Sequence, residues 1–193
     1  MDARDRLVAP NMAERPSTAG TPHSPPGAID AHLLRHRLIG MRPPLLTLAT
    51  ASGGQIRLGC NASLVAYTYP GGVTSHEHWA DTPLADAEEH RGFRDLHDEF
   101  VAQGLAVIGV SSQPVERLPE TIAANRLPHE LASDSTLGLA ELLQLPTFKV
   151  GGERFYQRLT FVMTGGKITQ VFYPVQAPGR HAAEVVASLR PAR

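Results

Sequence analysis

Residues 63–100 read SLVAYTYPGGVTSHEHWADTPLADAEEHRGFRDLHDEF, and the fold of the chain turns on them. Leu64 to Tyr69 is a short continuous run of apolar, aromatic and β-branched residues, the pattern of a buried strand. Pro70, Gly71 and Gly72 stop that run. A long polar loop follows, and an amphipathic pattern then predicts a helix from about Ala87 to Gln103. A buried strand feeding a loop and a helix N-terminus is where α/β proteins build sites, because free backbone N–H groups there favour negative charge.

Working outward, Leu105 to Val110 is a second apolar strand, which makes strand, helix and strand a βαβ unit with parallel pairing. Upstream, residues 45–50 and 55–58 flank Ser52-Gly53-Gly54 and read as a hairpin. Ile29 to Ile39 is expected to form a short helix with Leu33, Leu34 and Leu38 on one face. Downstream, a helix is expected over Pro114 to Arg126, with Pro119 tolerable only near its first turns. A weak strand is expected over Glu130 to Ala132, and a short helix over Thr136 to Gln144 that Pro146 ends. Phe155 to Met163 and Lys167 to Tyr173 flank Gly165-Gly166 as a second hairpin, and Arg180 to Leu189 is an amphipathic helix. The order predicts an α/β fold, a central mixed sheet with helices on both faces and an N-terminal hairpin.

The 193 residues suffice for one domain with a sizeable core, here expected over 28–193. Residues 1–27 are rich in Pro and small polar residues without apolar period, and are expected to be disordered. Basic and acidic residues nearly balance at 18 and 19, so nothing suggests nucleic acid or a membrane surface as partner. No apolar run has the length of a membrane span, and the N-terminus lacks a secretory pattern; a cytoplasmic, bacterial-type protein is the plain reading. The sequence holds one cysteine, Cys60, which excludes a disulfide within the chain.

Several local patterns resemble the peroxiredoxins of the AhpC/TSA, or redoxin, group within the thioredoxin-like superfamily. They are residues 50–58 (TASGGQIRL), 67–70 (YTYP), 92–95 (GFRD), 145–148 (LPTF), 157–161 (QRLTF) and 171–175 (VFYPV). The resemblance covers roughly residues 31–190 and implies a thioredoxin-like fold of peroxiredoxin type, a small-molecule substrate or ligand, homodimer formation, and no cofactor. It also implies a peroxidatic cysteine in the first helical turn after the central strand, with an upstream proline and an arginine from a distant strand. The helix N-terminus and the arginine would lower the thiol pKa and let the thiolate attack a peroxide O–O bond. Arg158 matches that arginine and Pro70 the proline.

No thiol stands at the expected place. Counting back from Gly92 to Asp95 puts Asp86 there, with Arg91 where some relatives carry a resolving cysteine. Counting forward from Pro70 gives Thr74 and Glu77 instead. The long loop favours Asp86. Cys60 comes just before the strand, so it is expected at the opposite end from Pro70, roughly 20–30 Å away at about 3.3 Å per residue, as a small buried hydrophobe.

The residues left to carry chemistry are therefore polar. Four of the nine histidines, His76, His78, His90 and His97, fall among Glu77, Asp81, Asp86, Glu88 and Glu89. Such a cluster suits acid–base work, with Asp86 or Glu77 as base, His76 or His78 as proton shuttle and Arg158 as anion binder. The same residues suit a solvated loop and a polar helix face, and Asp86 to Glu89 also reads as a capping box. Thr74, Pro70, Tyr69 and Trp79 are candidates for lining a substrate pocket. His76-Glu77-His78 is too weak a spacing to predict a metal site, and none is expected. The function expected is non-thiol chemistry on a small oxygenated substrate in the redoxin pocket. The alternatives are a catalytically silent ligand- or partner-binding protein and, less favoured, thiol peroxidase activity through Cys60.

Overall fold

The computed structural model describes residues 29–59, 62–72 and 82–190. The Pro-rich lead-in, Cys60 and the loop candidates Thr74, His76, Glu77, His78 and Trp79 lie outside the described residues.

Six helices and nine strands are described: α1 (Ala31–Leu38), β1 (Leu46–Thr50), β2 (Gln55–Leu58), β3 (Leu64–Thr68), α2 (Thr82–Asp95), α3 (His97–Ala102), β4 (Ala106–Ser111), α4 (Leu118–Asn125), β5 (Glu130–Ser133), α5 (Gly138–Leu143), β6 (Thr147–Val150), β7 (Glu153–Tyr156), β8 (Leu159–Thr164), β9 (Lys167–Phe172) and α6 (Pro178–Leu189). Seven strands form one mixed sheet in the order β2-β1-β5-β4-β3-β8-β9, and β6-β7 form a separate hairpin. β3 pairs in parallel with β4, and β4 with β5, as the βαβ pattern requires. β8 runs antiparallel to β3, with Leu159 opposite Thr68, so the start of β8 meets the end of β3.

All five residues of β3 are buried, because both faces of the sheet are covered. Leu64 and Ala66 point into a core with Leu34, Leu38 and Leu143 from α1 and α5. Val65 and Tyr67 point into the opposite core with Phe93, Phe100, Leu118 and Val185 from α2, α3, α4 and α6. This period-2 split explains why the strand reads as a continuous apolar run.

Three expected boundaries change. The helix expected over Ala87 to Gln103 starts earlier, at Thr82, and breaks at Leu96 into α2 and α3. Pro83 sits in its first turn, where a missing N–H forfeits no intrahelical bond. Asp86 is therefore inside the second turn and does not cap. The strand expected over Phe155 to Met163 is interrupted at Gln157 and Arg158. There the Thr68 hydroxyl donates to the Gln157 carbonyl (2.7 Å) and accepts from the Leu159 N–H (3.1 Å), taking over from the ladder. The helix expected from Pro114 opens as a 3₁₀ turn, Val115–Arg117, before α4, which puts Pro119 in the first turn of α4.

Gly109 in β4 is a close-approach glycine. A Cβ there would lie 2.6 Å from Leu131 and 2.7 Å from the ring and hydroxyl of Tyr67, all fully buried. Gly109→Ala should therefore lower stability by about 1–3 kcal/mol through overpacking. Urea unfolding checks this: the midpoint should fall with the slope unchanged.

Candidate functional site

The C-terminal end of β3, the start of β8 and the first two turns of α2 meet at one place. Pro70 and Gly71 are buried there, and Gly71 adopts φ +57°, a left-handed conformation that suits glycine. The turn aims the Gly71 N–H at Asp86 Oδ2, 3.2 Å away.

Arg158 lies across this junction. Its Nη2 is 2.6 Å from Asp86 Oδ1 and its Nη1 donates to Glu89 Oε2 at 2.7 Å. A further Nη2 contact reaches the Thr82 carbonyl at 3.4 Å. Asp86 and Glu89 are three residues apart on α2, so both present carboxylates to the same guanidinium. The side chains of Arg158 and Asp86 are 11% and 12% exposed, and that of Glu89 is wholly enclosed.

Two buried carboxylates around one guanidinium leave an excess negative charge. Burial pushes the Glu89 carboxyl up to about 8, against the attraction of Arg158 and with added repulsion from Asp86. Burial raises Asp86 as well, opposed by Arg158 and the Gly71 N–H. Burial works against the charge of Arg158, but the two carboxylates outweigh it and hold its pKa above the usual value. At neutral pH the pair therefore retains one proton. Wholly enclosed Glu89 is its favoured seat, and its second oxygen, Oε1, has no hydrogen-bond partner among the described residues.

Behind the triad stands a second polar group. The Tyr67 hydroxyl lies 2.9 Å from His90 Nδ1 and 3.0 Å from His129 Nε2. Its ring stacks on Phe93, with centroids 4.2 Å apart and planes at 6°. Burial lowers both imidazoles to about 3, with a smaller contribution from cationic or imidazole neighbours, so both are neutral. Burial likewise raises the Tyr67 phenol well above its usual value. Tyr69 meets His90 edge-on at 4.5 Å, and its hydroxyl donates weakly to Gln113 Oε1 at 3.4 Å. Asp86, His90 and Tyr69 line part of a cavity of about 390 Å³ between α2 and α4.

Of the residues singled out from sequence, Pro70, Tyr69, Asp86, His90 and Arg158 thus gather within one region. His97 stands further off, its ring parallel to that of His129 at 5.9 Å. Glu89 has a different setting from the one expected: it pairs with Arg158 and closes no capping box. Its signal in the sequence was its place three residues beyond Asp86. Tyr67 and His129 were not foreseen, since no spacing links residues so far apart.

A model of the AhpC/TSA family matches residues 73–171, just over half of the chain. The chain belongs to the AhpC/TSA family. The Coxiella burnetii protein assigned as peroxiredoxin bcp is 26% identical over 156 residues, spanning 78% of this chain and 97% of that protein. Among solved structures, the peroxidoxin BcpB of Mycobacterium tuberculosis superposes with a TM-score of 0.66 at 24% identity, over 80% of this chain and 97% of its own. The bacterioferritin comigratory protein of Xanthomonas campestris superposes at 0.61 with 25% identity, over 75% and 89%. The fold is thus the thioredoxin-like fold of AhpC/TSA peroxiredoxins. Among the described residues no helix is long and apolar enough to cross a membrane.

The raised Glu89 pKa has a sign that can be checked. A carboxyl whose folded pKa exceeds its unfolded value stabilises the fold most below the unfolded pKa and loses that contribution as pH rises through the folded one. For Glu89 the loss runs from about 4.5 to about 8. His90, His129 and His181 are depressed and act oppositely, but only below 6.5. Between pH 6.5 and 8 stability should therefore fall with pH, by at most about 1.4 kcal/mol per unit for one proton. Glu89→Gln should remove that slope, as read by urea unfolding at several pH values. Arg158→Met should lower stability by about 3–5 kcal/mol at pH 8, because it strands buried charge.

Proposed function

We propose that this AhpC/TSA protein, with residues 28–193 as its peroxiredoxin-type domain, binds a small ligand and does not turn over peroxide through a thiol. The observation that carries the reading is the Asp86–Arg158–Glu89 triad. Counted back from Gly92 to Asp95, position 86 is where the family pattern places the peroxidatic cysteine (the count forward from Pro70 gives Glu77 instead), and in that pattern the arginine assists the thiolate. Here position 86 is an aspartate whose carboxylate already occupies the guanidinium, and the second carboxylate fills its other side. An anionic or peroxidic ligand would have to displace both. Cys60 is the only cysteine in the sequence and precedes the start of β3, whereas the triad lies beyond its end.

A second reading is non-thiol acid–base chemistry on a small oxygenated substrate. It is favoured by one feature, the Glu89 carboxyl pushed up to about 8 with an Oε1 that has no hydrogen-bond partner among the described residues, since a group titrating near neutrality can both give and take a proton. Glu89 is fully enclosed, however, and a general acid or base needs hydrogen-bond reach to its substrate. Binding is therefore the better-supported role. The Xanthomonas relative has been studied for alkyl peroxide reduction, so an organic hydroperoxide is the fair challenge.

The test is consumption of tert-butyl hydroperoxide with a dithiol reductant. The unmodified protein and Cys60→Ser should both stay at the rate of the reagents alone. Asp86→Cys, which restores a thiol beside Arg158, should rise above that background at least tenfold. Turnover by the unmodified protein that Cys60→Ser abolishes would overturn the proposal, and turnover that survives Cys60→Ser would favour the acid–base reading.

A further inference from the structure

Arg158 is closed off by two carboxylates, but a second arginine nearby is not. Arg117 ends the 3₁₀ turn before α4, and its side chain makes no hydrogen bond or ion pair among the described residues. It lines two cavities. One is the cavity of about 390 Å³ beside the triad, and the other is a cleft of about 590 Å³ that shares Gly72, Gln113 and Arg117 with it. Three pieces of chain frame the cleft: the connection from β4 to α4, the turn from β5 to α5, and β7. Each is bonded to the next. The Ser133 hydroxyl, at the end of β5, donates to the Gln113 carbonyl at 2.6 Å. The Ser112 hydroxyl donates to the Arg154 carbonyl in β7 at 3.3 Å, and the Tyr156 hydroxyl of β7 donates to Asp134 in the β5–α5 turn. The cleft is therefore formed before a ligand arrives, as small-molecule sites usually are, and its volume is of their size.

Side chains, not backbone, set the polarity of this cleft. At the start of α5 the N–H groups of Gly138 and Leu139 go to Asp134, and that of Ala140 goes to the Tyr156 hydroxyl. Two guanidiniums line the cleft, Arg117 and Arg154, against one carboxylate, Glu153. Arginine stays protonated in proteins, so this excess of positive charge depends on no titration. Arg154 also meets Glu141 at 3.3 Å, in an exposed pair of the kind that contributes little. Between the two cavities stands Gln113, whose Oε1 faces the hydroxyls of Tyr69 and Ser111, which leaves its amide N–H₂ as a donor. Leu137 and Phe155, both buried, add an apolar wall.

We propose that this cleft binds a small molecule carrying an oxyanion, a carboxylate or a phosphate, on an apolar body, with Arg117 holding the oxyanion. A guanidinium presents paired N–H donors that match two oxygens of either group. The Gln113 amide supplies a further donor, and Leu137 and Phe155 receive the apolar body. A cationic ligand would face two arginines, and a neutral one would leave Arg117 without a counter-charge. The site rests on the binding reading above and gives it a place and a ligand class. Where two carboxylates shut the triad to anions, the neighbouring cleft keeps its arginine open.

The experiment is a fluorine NMR titration of the full chain with 4-fluorobenzoate and 4-fluorophenyl phosphate. The neutral and cationic controls are 4-fluorobenzamide and 4-fluorobenzylamine. At least one anion should bind saturably and about tenfold or more tightly than either control, and the better of the two tells carboxylate from phosphate. Arg117→Gln should weaken that binding about tenfold, the loss of one charge-assisted contact. Arg117 lines both cavities, so filling each in turn locates the site. Ser135→Trp, in the wall of the cleft, should abolish binding, and Ala124→Trp, in the wall of the triad cavity, should leave it unchanged. Circular dichroism and the urea midpoint confirm that each variant is folded. The proposal is overturned by controls that bind as tightly as the anions, by no saturable binding of either anion, or by binding indifferent to Arg117→Gln. Loss in Ala124→Trp with retention in Ser135→Trp would also overturn it, by placing the anion beside the triad. None of these readouts involves peroxide, so a protein that turns over no peroxide and binds neither anion keeps the first conclusion and loses this one.

Discussion

One guanidinium held between two carboxylates at the end of the central strand is the constraint on which the site depends. Arg158 enters from the start of β8, and Asp86 and Glu89 from one face of α2. The contact therefore ties helix to sheet at the point where the chain leaves β3. In a buried place, charges of unequal number cannot all persist, and desolvation settles the matter by keeping a proton on the carboxylate pair. The same physics that would lower a thiol pKa beside a lone arginine here produces a closed and nearly neutral cluster. The Asp86 carboxylate gives the arginine a permanent, largely buried partner.

The surroundings hold that cluster in place through unremarkable means. Thr68 breaks the β3–β8 ladder with its hydroxyl and so fixes the backbone on both sides of Arg158. Gly71 turns its N–H to Asp86. Gly109, lacking a Cβ, leaves the space in which the Tyr67 ring lies flat between Phe93 and the two histidines. The neutral imidazoles follow from the same enclosure, since among the described residues no carboxylate is hydrogen-bonded to either ring to keep it charged. Two polar groups with opposite origins, one an ion cluster and one a neutral chain, therefore stand side by side under α2.

Much of the fold was legible because burial on both faces writes itself as apolar runs. Residues 64–69 and 105–110 needed no further context, and the hairpin around Gly53 announced its turn. Boundaries failed where two local rules competed. Asp86 to Glu89 satisfies the spacing of a capping box, yet Thr82-Pro83 begins the helix a turn earlier and both acids serve Arg158 instead. The break at Gln157 and Arg158 comes from the side chain of Thr68, far away in sequence, so no local pattern could reveal it. The β6–β7 hairpin escaped notice because β6 is only partly buried and the two buried residues of β7, Phe155 and Tyr156, are adjacent, so neither strand shows a clean alternation. Arg158 and Asp86 were found through family resemblance. His129 was invisible, because its meeting with Tyr67 and His90 is a product of strand order alone.

The most direct measurement is the ¹³C-carboxyl NMR titration of Glu89 and Asp86 between pH 4 and 9. A shared proton in a closed triad should appear as a titration near pH 8 that both carboxyls sense, and Arg158→Met should alter it. Independent titration of both groups below pH 5 would mean that Arg158 faces two solvated, fully ionised carboxylates. The pocket would then be open to an anionic ligand, and the closed-triad reading would be wrong.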